Sequence, residues 1–121
     1  MIFHITTSKE WGNAQLKGEY LAPSLKTEGF IHSSTLNQVI DTANAFYKGQ
    51  PGLVLLCIDE NKLIAECKYE KPTSLGHHDP KIANLFPHIY GSLNISAVIK
   101  VVDFPTGENG LFQLPKELRE E

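Results

Sequence analysis

The chain has 121 residues, one domain's worth, and at this length folding buries roughly two-thirds of the unfolded surface, enough for one sizeable core and not for two. A hydrophobic content of 41% with 21% charged residues excludes a disordered chain. Eleven basic against 14 acidic side chains leave a net charge of −3, spread without long like-charge runs, which is no footprint for duplex nucleic acid or an anionic membrane.

Ile2 to Thr6 reads as a strand, and Thr7-Ser8-Lys9-Glu10 as a capping-box start for a helix running towards Gly18 with Trp11 and Ala14 facing inward. Pro23 to Gly29 predicts one short helical turn closed by glycine, leading into Phe30-Ile31-His32-Ser33 as a second strand. Leu36, Val39, Ile40, Ala43, Phe46 and Tyr47 share one face of a helix begun near Ser34 or Thr35 and stopped at Gly49. On that spacing Phe46 is expected in the core. Leu53 to Ile58 predicts a strand covered on both faces, Asp59-Glu60-Asn61 a turn, and Ala65 to Glu70 a further strand. Lys71 to Asn84 is expected to be a long loop containing Gly76-His77-His78-Asp79, a candidate lid. Phe86 to Tyr90 and Ala97 to Phe104 are the last strands, after which Leu111, Phe112 and Leu114 dock a C-terminal segment with a solvated end. No internal repeat or linker divides the chain, so residues 1–121 read as one α+β domain, with a core over 2–104 and an extension over 105–121.

The longest apolar run, Leu53 to Ile58, is far too short to cross a bilayer, and Met1-Ile2-Phe3-His4-Ile5 lacks the features of a cleaved leader. A cytoplasmic protein is expected, in which Cys57 and Cys67 are small buried thiols. The one arginine is Arg119, near the C-terminus, so a pocket in the body must meet anions with lysine or backbone N–H groups.

The histidines carry the chemistry that can be read here. His4, His32, His77, His78 and His88 are dispersed without ligand spacing, so no metal site is expected. Three of them interrupt apolar strands, in Phe3-His4-Ile5, Ile31-His32-Ser33 and Pro87-His88-Ile89. Alternation puts His4 with Thr6, His32 with Ser34, and His88 with Tyr90. A single strand histidine is ordinarily a satisfied structural group. Three on separate strands are a lining for one cleft, because each costs stability unless paired. Glu28 could bind a hydroxyl or complement a helical turn, Asp59 and Glu70 read as surface or turn carboxylates, and Lys100 falls on an edge strand. No Gly-x-Ser-x-Gly elbow supports a catalytic triad, and Gly49-Gln50-Pro51-Gly52 lacks the ending of a phosphate loop.

Six segments together resemble the domain of unknown function 952 family: Ile2-Phe3-His4-Ile5-Thr6; Ser24-Leu25 with Glu28 to Ser34; Gln38-Val39; Ala43-Asn44 with Phe46-Tyr47; Leu55-Leu56 with Ile58-Asp59; and Phe86-Pro87-His88-Ile89-Tyr90-Gly91. The resemblance covers about residues 2–104. That family is in turn similar to the ADP-ribosyltransferase fold, which implies a split, curved mixed β-sheet with two main helices and a nicotinamide nucleotide cleft. His4-Ile5-Thr6 is similar to the His-Gly-Thr that holds a ribose in those enzymes, with Ile5 in place of glycine. Where they place a late-strand glutamate, this chain offers His88 or Tyr90, and the arginines of the RNA 2′-phosphotransferase relatives are missing.

The resemblance implies a cleft for a nucleotide or ribose-phosphate ligand, with NAD or a related nucleotide as its substrate. His4 positions ribose, His32 or His88 serves as acid or base, and Tyr90 orients the substrate; Thr6, Ser24, Glu28, Ser34, Asn44 and Tyr47 are the ligand-binding candidates. ADP-ribosyltransferase-like or glycohydrolase chemistry stands against a non-catalytic ligand-binding or protein-interaction module. A carboxylate inside the cleft favours the enzyme, and a cleft closed by Ile5 favours the module.

Overall fold

The computed structural model describes residues 1–71 and 85–119. Strand β1, Ile2–Thr7, ends at Thr7, whose extended backbone and side chain start helix α1, Ser8–Lys17: the Glu10 N–H donates to Thr7 Oγ1 at 3.0 Å. The helix stops at Gly18, where a φ of 87° that L side chains rarely adopt lets its N–H donate to the Ala14 carbonyl. Trp11 and Ala14 are buried, as their spacing requires. Two-residue strand β2, Glu19–Tyr20, and short helix α2, Ser24–Thr27, follow, and Gly29 at a φ of 89° turns the chain into β3, Ile31–His32. Helix α3, Leu36–Phe46, leads to β4, Leu53–Ile58, all six residues of which are buried. The remaining strands are β5 (Glu66–Glu70), β6 (Phe86–Tyr90), β7 (Leu93–Asn94) and β8 (Val98–Asp103). The loop expected from Lys71 to Asn84, with its lid candidate, lies outside the described residues beyond Lys71.

Among the described residues the strands form a three-stranded sheet β1-β4-β8, a second of order β3-β6-β5, and the pair β2-β7. All of these pairings are antiparallel, which corrects the expected mixed sheet. The physical reason is the path of the chain: each of the three described α-helices carries it from one sheet to another, so among the described residues no strand–helix–strand unit stays within one sheet and no parallel crossover arises. Helix α2 falls within the helical turn expected over Pro23 to Gly29, whereas strands β2 and β7, two residues each, are too short to show a period.

Alternation along β1 and β4 corrects the single core expected from chain length: because both faces of the first sheet are covered, the apolar side chains divide into two clusters, one on each face. Ile2, Val54, Leu56 and Ile58 pack with Trp11, Tyr20, Ile31 and Ile89 on one side; Phe3, Ile5, Leu53, Leu55 and Cys57 pack with Val39, Ala43, Val102 and Phe104 on the other. Phe112 stacks on Phe104 with ring centroids 4.6 Å apart, while Leu111 is exposed. Cys57 is buried and Cys67 half-buried; both thiols are free, and burial pushes each up to about 11, so they stay protonated at neutral pH. Phe46 is a correction: it is 50% exposed. It lies near the stripe of Val39 and Ala43, but the last turn of α3 overhangs a cavity where the stripe would otherwise meet core.

Candidate functional site

The two larger sheets meet at one antiparallel bridge, in which the Phe3 N–H donates to the Ser34 carbonyl and the Ser34 N–H to the Phe3 carbonyl, each at 2.8 Å. A continuing ladder would next pair Ile5 with His32. Instead the strands part, and the His32 carbonyl accepts from Nδ1 of His4. Because the amide and carbonyl of Phe3 point towards β3, the same groups of Ile5 point that way too, into the opening. The opening is a cavity of about 490 Å³, within the range of small-molecule sites. Ile5 lines it and does not close it.

His4 occupies the inner end. Its Nδ1 faces a carbonyl, which can only accept, so that nitrogen carries the proton and Nε2 offers a lone pair. Tyr20 places its hydroxyl 2.8 Å from that lone pair and 3.1 Å from Thr6 Oγ1. The phenol has one proton. With His4 neutral it goes to Nε2, leaving the phenol oxygen to accept from Thr6; with His4 protonated it turns to Thr6, whose hydroxyl then points to Glu10 Oε2 at 3.5 Å. Desolvation holds His4 down at about 4 against the opposing pull of the His32 carbonyl, so the neutral arrangement prevails at pH 7. Burial raises the Tyr20 phenol to about 12.

Aromatic rings outside the lining, Phe30 and Tyr90, back the His32 and His88 side of the cavity. Phe30 stacks on His88 with centroids 4.0 Å apart and meets His32 and Tyr90 at 4.8 and 5.4 Å, while His32 and His88 meet edge to face at 5.7 Å. Each of these histidines is held by a carboxylate: His32 Nε2 by Glu28 Oε2 at 2.8 Å, and His88 Nδ1 by Glu70 Oε1 at 2.9 Å. The Tyr90 hydroxyl donates to the same Glu70 oxygen, and these two hydrogen bonds, Tyr90 first and then His88, hold the Glu70 carboxyl below the usual carboxylate range. Glu70 is therefore more than a surface carboxylate. Asp59 does act as a turn residue, its Oδ1 accepting from the Asn61 N–H.

His4, Thr6, Ser24, His32, Ser34, Tyr47 and His88 all line the cavity, so three strand histidines read from the sequence converge on it. Three other candidates stand apart from that lining. Asn44 clamps the C-terminal segment, accepting from the Phe112 N–H at 2.6 Å and donating to its carbonyl at 3.3 Å, because α3 turns that side towards the chain's return. Tyr90 and Glu28 sit behind the wall, each bonded to a side chain rather than facing the opening. Sequence reasoning missed Tyr20, which lies on a two-residue strand, and Glu10, which reads as a capping residue but sends its carboxylate to the cavity. Among the described lining residues none is lysine or arginine; the donors are hydroxyls, imidazoles, the Gln50 amide and backbone N–H groups. No group of three histidine, cysteine, aspartate or glutamate side chains that could hold a metal occurs among the described residues, and no helix there is long and apolar enough to cross a membrane.

A family model described as protein of unknown function (DUF952) matches residues 5–101. The chain is similar to protein CC0527 from Caulobacter crescentus: to its crystal structure with 32% identity and a TM-score of 0.78 over 93% of each chain, and to its solution NMR structure with 30% identity and a TM-score of 0.78 over 97% of this chain and 95% of that one. No curated protein matches.

Proposed function

The chain belongs to the protein of unknown function (DUF952) family, and from that premise we propose that its cleft binds a nucleotide or another small molecule that carries ribose, in the manner of the ADP-ribosyltransferase fold. One observation carries this reading. Where β1 and β3 part, Ile5 lines a cavity of about 490 Å³ with Thr6, Tyr20, Ser34 and His88, and strand alternation from the Phe3–Ser34 bridge turns its amide and carbonyl towards the β3 side. An amide-bearing ring can pair with such a backbone edge, and a sugar can use the hydroxyls and imidazoles. The first strand supplies His4-Ile5-Thr6, and His4 acts on a ligand through the Tyr20 hydroxyl that it holds.

Thermal denaturation with NAD, ADP-ribose and adenosine tests the reading, because a ligand that binds only the native state raises its midpoint. A rise with at least one of them, reduced in Tyr20→Phe, is the expected result. No rise with any of the three at millimolar concentration sinks it.

Cleavage of the ribosyl bond is a second reading, favoured by the Glu10 carboxylate at the cavity. Positive charge that grows on a ribosyl carbon needs an anionic neighbour, which neither His88 nor Tyr90 supplies. Nicotinamide release from NAD by the purified protein, lost in Glu10→Gln, is the outcome that supports cleavage; release that survives in Glu10→Gln assigns no role to this carboxylate.

A further inference from the structure

The His88 side chain is 2% exposed, stacked flat on Phe30, and forms part of the cavity wall. Its Nδ1 faces Glu70 Oε1, which also accepts from the Tyr90 hydroxyl. An ionised carboxylate has no proton to give, so Nδ1 must carry one, and in the neutral ring the lone pair belongs to Nε2. Among the described residues nothing meets Nε2. A buried acceptor without a partner is costly to leave unmade, in contrast to His4, where Tyr20 fills the corresponding position.

We propose that His88 Nε2 is the acceptor by which the cleft reads its ligand, taking a hydrogen bond from an O–H or N–H group, and that Glu70 is the positioning residue that fixes the ring in that tautomer. The ligand class follows from the proposed ribose-bearing occupant, on which this inference rests: the donor is a sugar hydroxyl or the amide of a ring substituent, and a ligand with an ether or methylated oxygen at that point is rejected. A site built around a polar partner discriminates against an analogue lacking it more strongly than an apolar pocket does, because the buried group is then left unpaired. Tyr90 enters only behind Glu70, restraining the carboxylate that restrains the imidazole. The same geometry suits proton transfer, since a fixed lone pair facing a bound hydroxyl is what a general base requires.

The test is nitrogen-15 NMR of the histidine side chains in the full-length protein at pH 7.5, with and without ADP-ribose. The expected spectrum of the free protein has His88 protonated on Nδ1 and unprotonated on Nε2. Glu70→Gln, whose amide oxygen can still accept, retains that tautomer, and Glu70→Ala loses it. A merely structural Glu70 would leave the tautomer unmoved in both variants. Protonation of Nε2 in the wild-type protein, or an unchanged tautomer in Glu70→Ala, overturns the proposal. With ADP-ribose, a shift of the His88 Nε2 resonance supports it, whereas shifts at Ile5 and Tyr20 that leave Nε2 unmoved overturn the ligand contact while the nucleotide reading survives. A fixed tautomer with no shift anywhere, with ADP-ribose and then with NAD and adenosine, sinks the nucleotide reading alone; diethyl pyrocarbonate, which acylates an unprotonated imidazole nitrogen, then decides the acceptor. Acylation of wild-type His88 at Nε2 sustains it, and an inert His88 ends it.

Discussion

The two ends of the cleft hold buried histidines in opposite states of completion. His4 gives its Nδ1 proton to a neutral carbonyl and has its Nε2 filled by Tyr20, so desolvation dominates and the ring stays neutral well into acid. His88 gives its Nδ1 proton to the Glu70 carboxylate, and no described residue meets its Nε2. Burial alone therefore does not distinguish a structural histidine from one poised for a ligand; the occupant of the second nitrogen does.

Removing the closed end should do the most damage. His4→Ala strands the His32 carbonyl, at roughly 1–3 kcal/mol for a buried group left unpaired, and empties the space of a buried ring, so we expect a loss of about 4 kcal/mol in denaturant unfolding. A loss below about 1 kcal/mol would mean that water replaces the imidazole and that the inner end is as open as the outer one.

Acid should take apart the same end without mutation. The folded-state value of about 4 lies below the ordinary 6.5, so the unfolded chain binds the extra proton first, and stability falls as pH drops from about 6.5 to about 4. For this buried group the total is about 3 kcal/mol. Glu70, also depressed, adds its own loss only as pH falls below the ordinary carboxylate value of 4.5, so the interval from 6.5 to 5 separates His4 from that carboxylate. Urea midpoints measured across that interval should slope in the wild type and flatten in His4→Gln; parallel slopes would falsify the assignment.

Tyr20→Phe sharpens the comparison by opening Nε2 of His4 while keeping the ring in place. An expected cost of about 1–2 kcal/mol follows from one buried acceptor left without its donor. If the variant is as stable as the wild type, the phenol bond to His4 contributes nothing net.

Phe46→Ala should have the smallest effect on folding. Half exposed over the cavity, its ring should cost under about 1 kcal/mol, against roughly 3–5 kcal/mol for the fully buried phenylalanine its spacing implies. A midpoint shift of the larger size would restore Phe46 to the core and shrink the cleft at its mouth.

Much of the architecture is legible in the residues because it is local. Thr7 and Gly18 bound α1, the Val39–Ala43 spacing makes a helix, and the unbroken apolar run from Leu53 to Ile58 can only be a strand with both faces covered. The site was legible in part for the same reason: His4 and Thr6 alternate with Phe3 and Ile5, so their side of β1 had to be polar within an otherwise apolar sheet. Phe46 shows the limit, since periodicity gives a direction on the helix and says nothing of whether packing or a cavity lies there.

What the sequence determined by itself was the set of short-range choices: which residues form helices and strands, and that three histidines fall on separate strands of one α+β domain. Only the tertiary structure decided that every described sheet pairing is antiparallel, that β1 and β3 part after a single bridge, that Tyr20 and Glu10 reach the cavity, and that Asn44, Glu28 and Tyr90 serve supporting bonds elsewhere. The physical reason is separation along the chain. The Tyr20 bond to His4 spans 16 residues and the Glu70 bond to His88 spans 18, so neither leaves a local period, and each forms only when the sheets pack and bring together groups that their own neighbours do not specify.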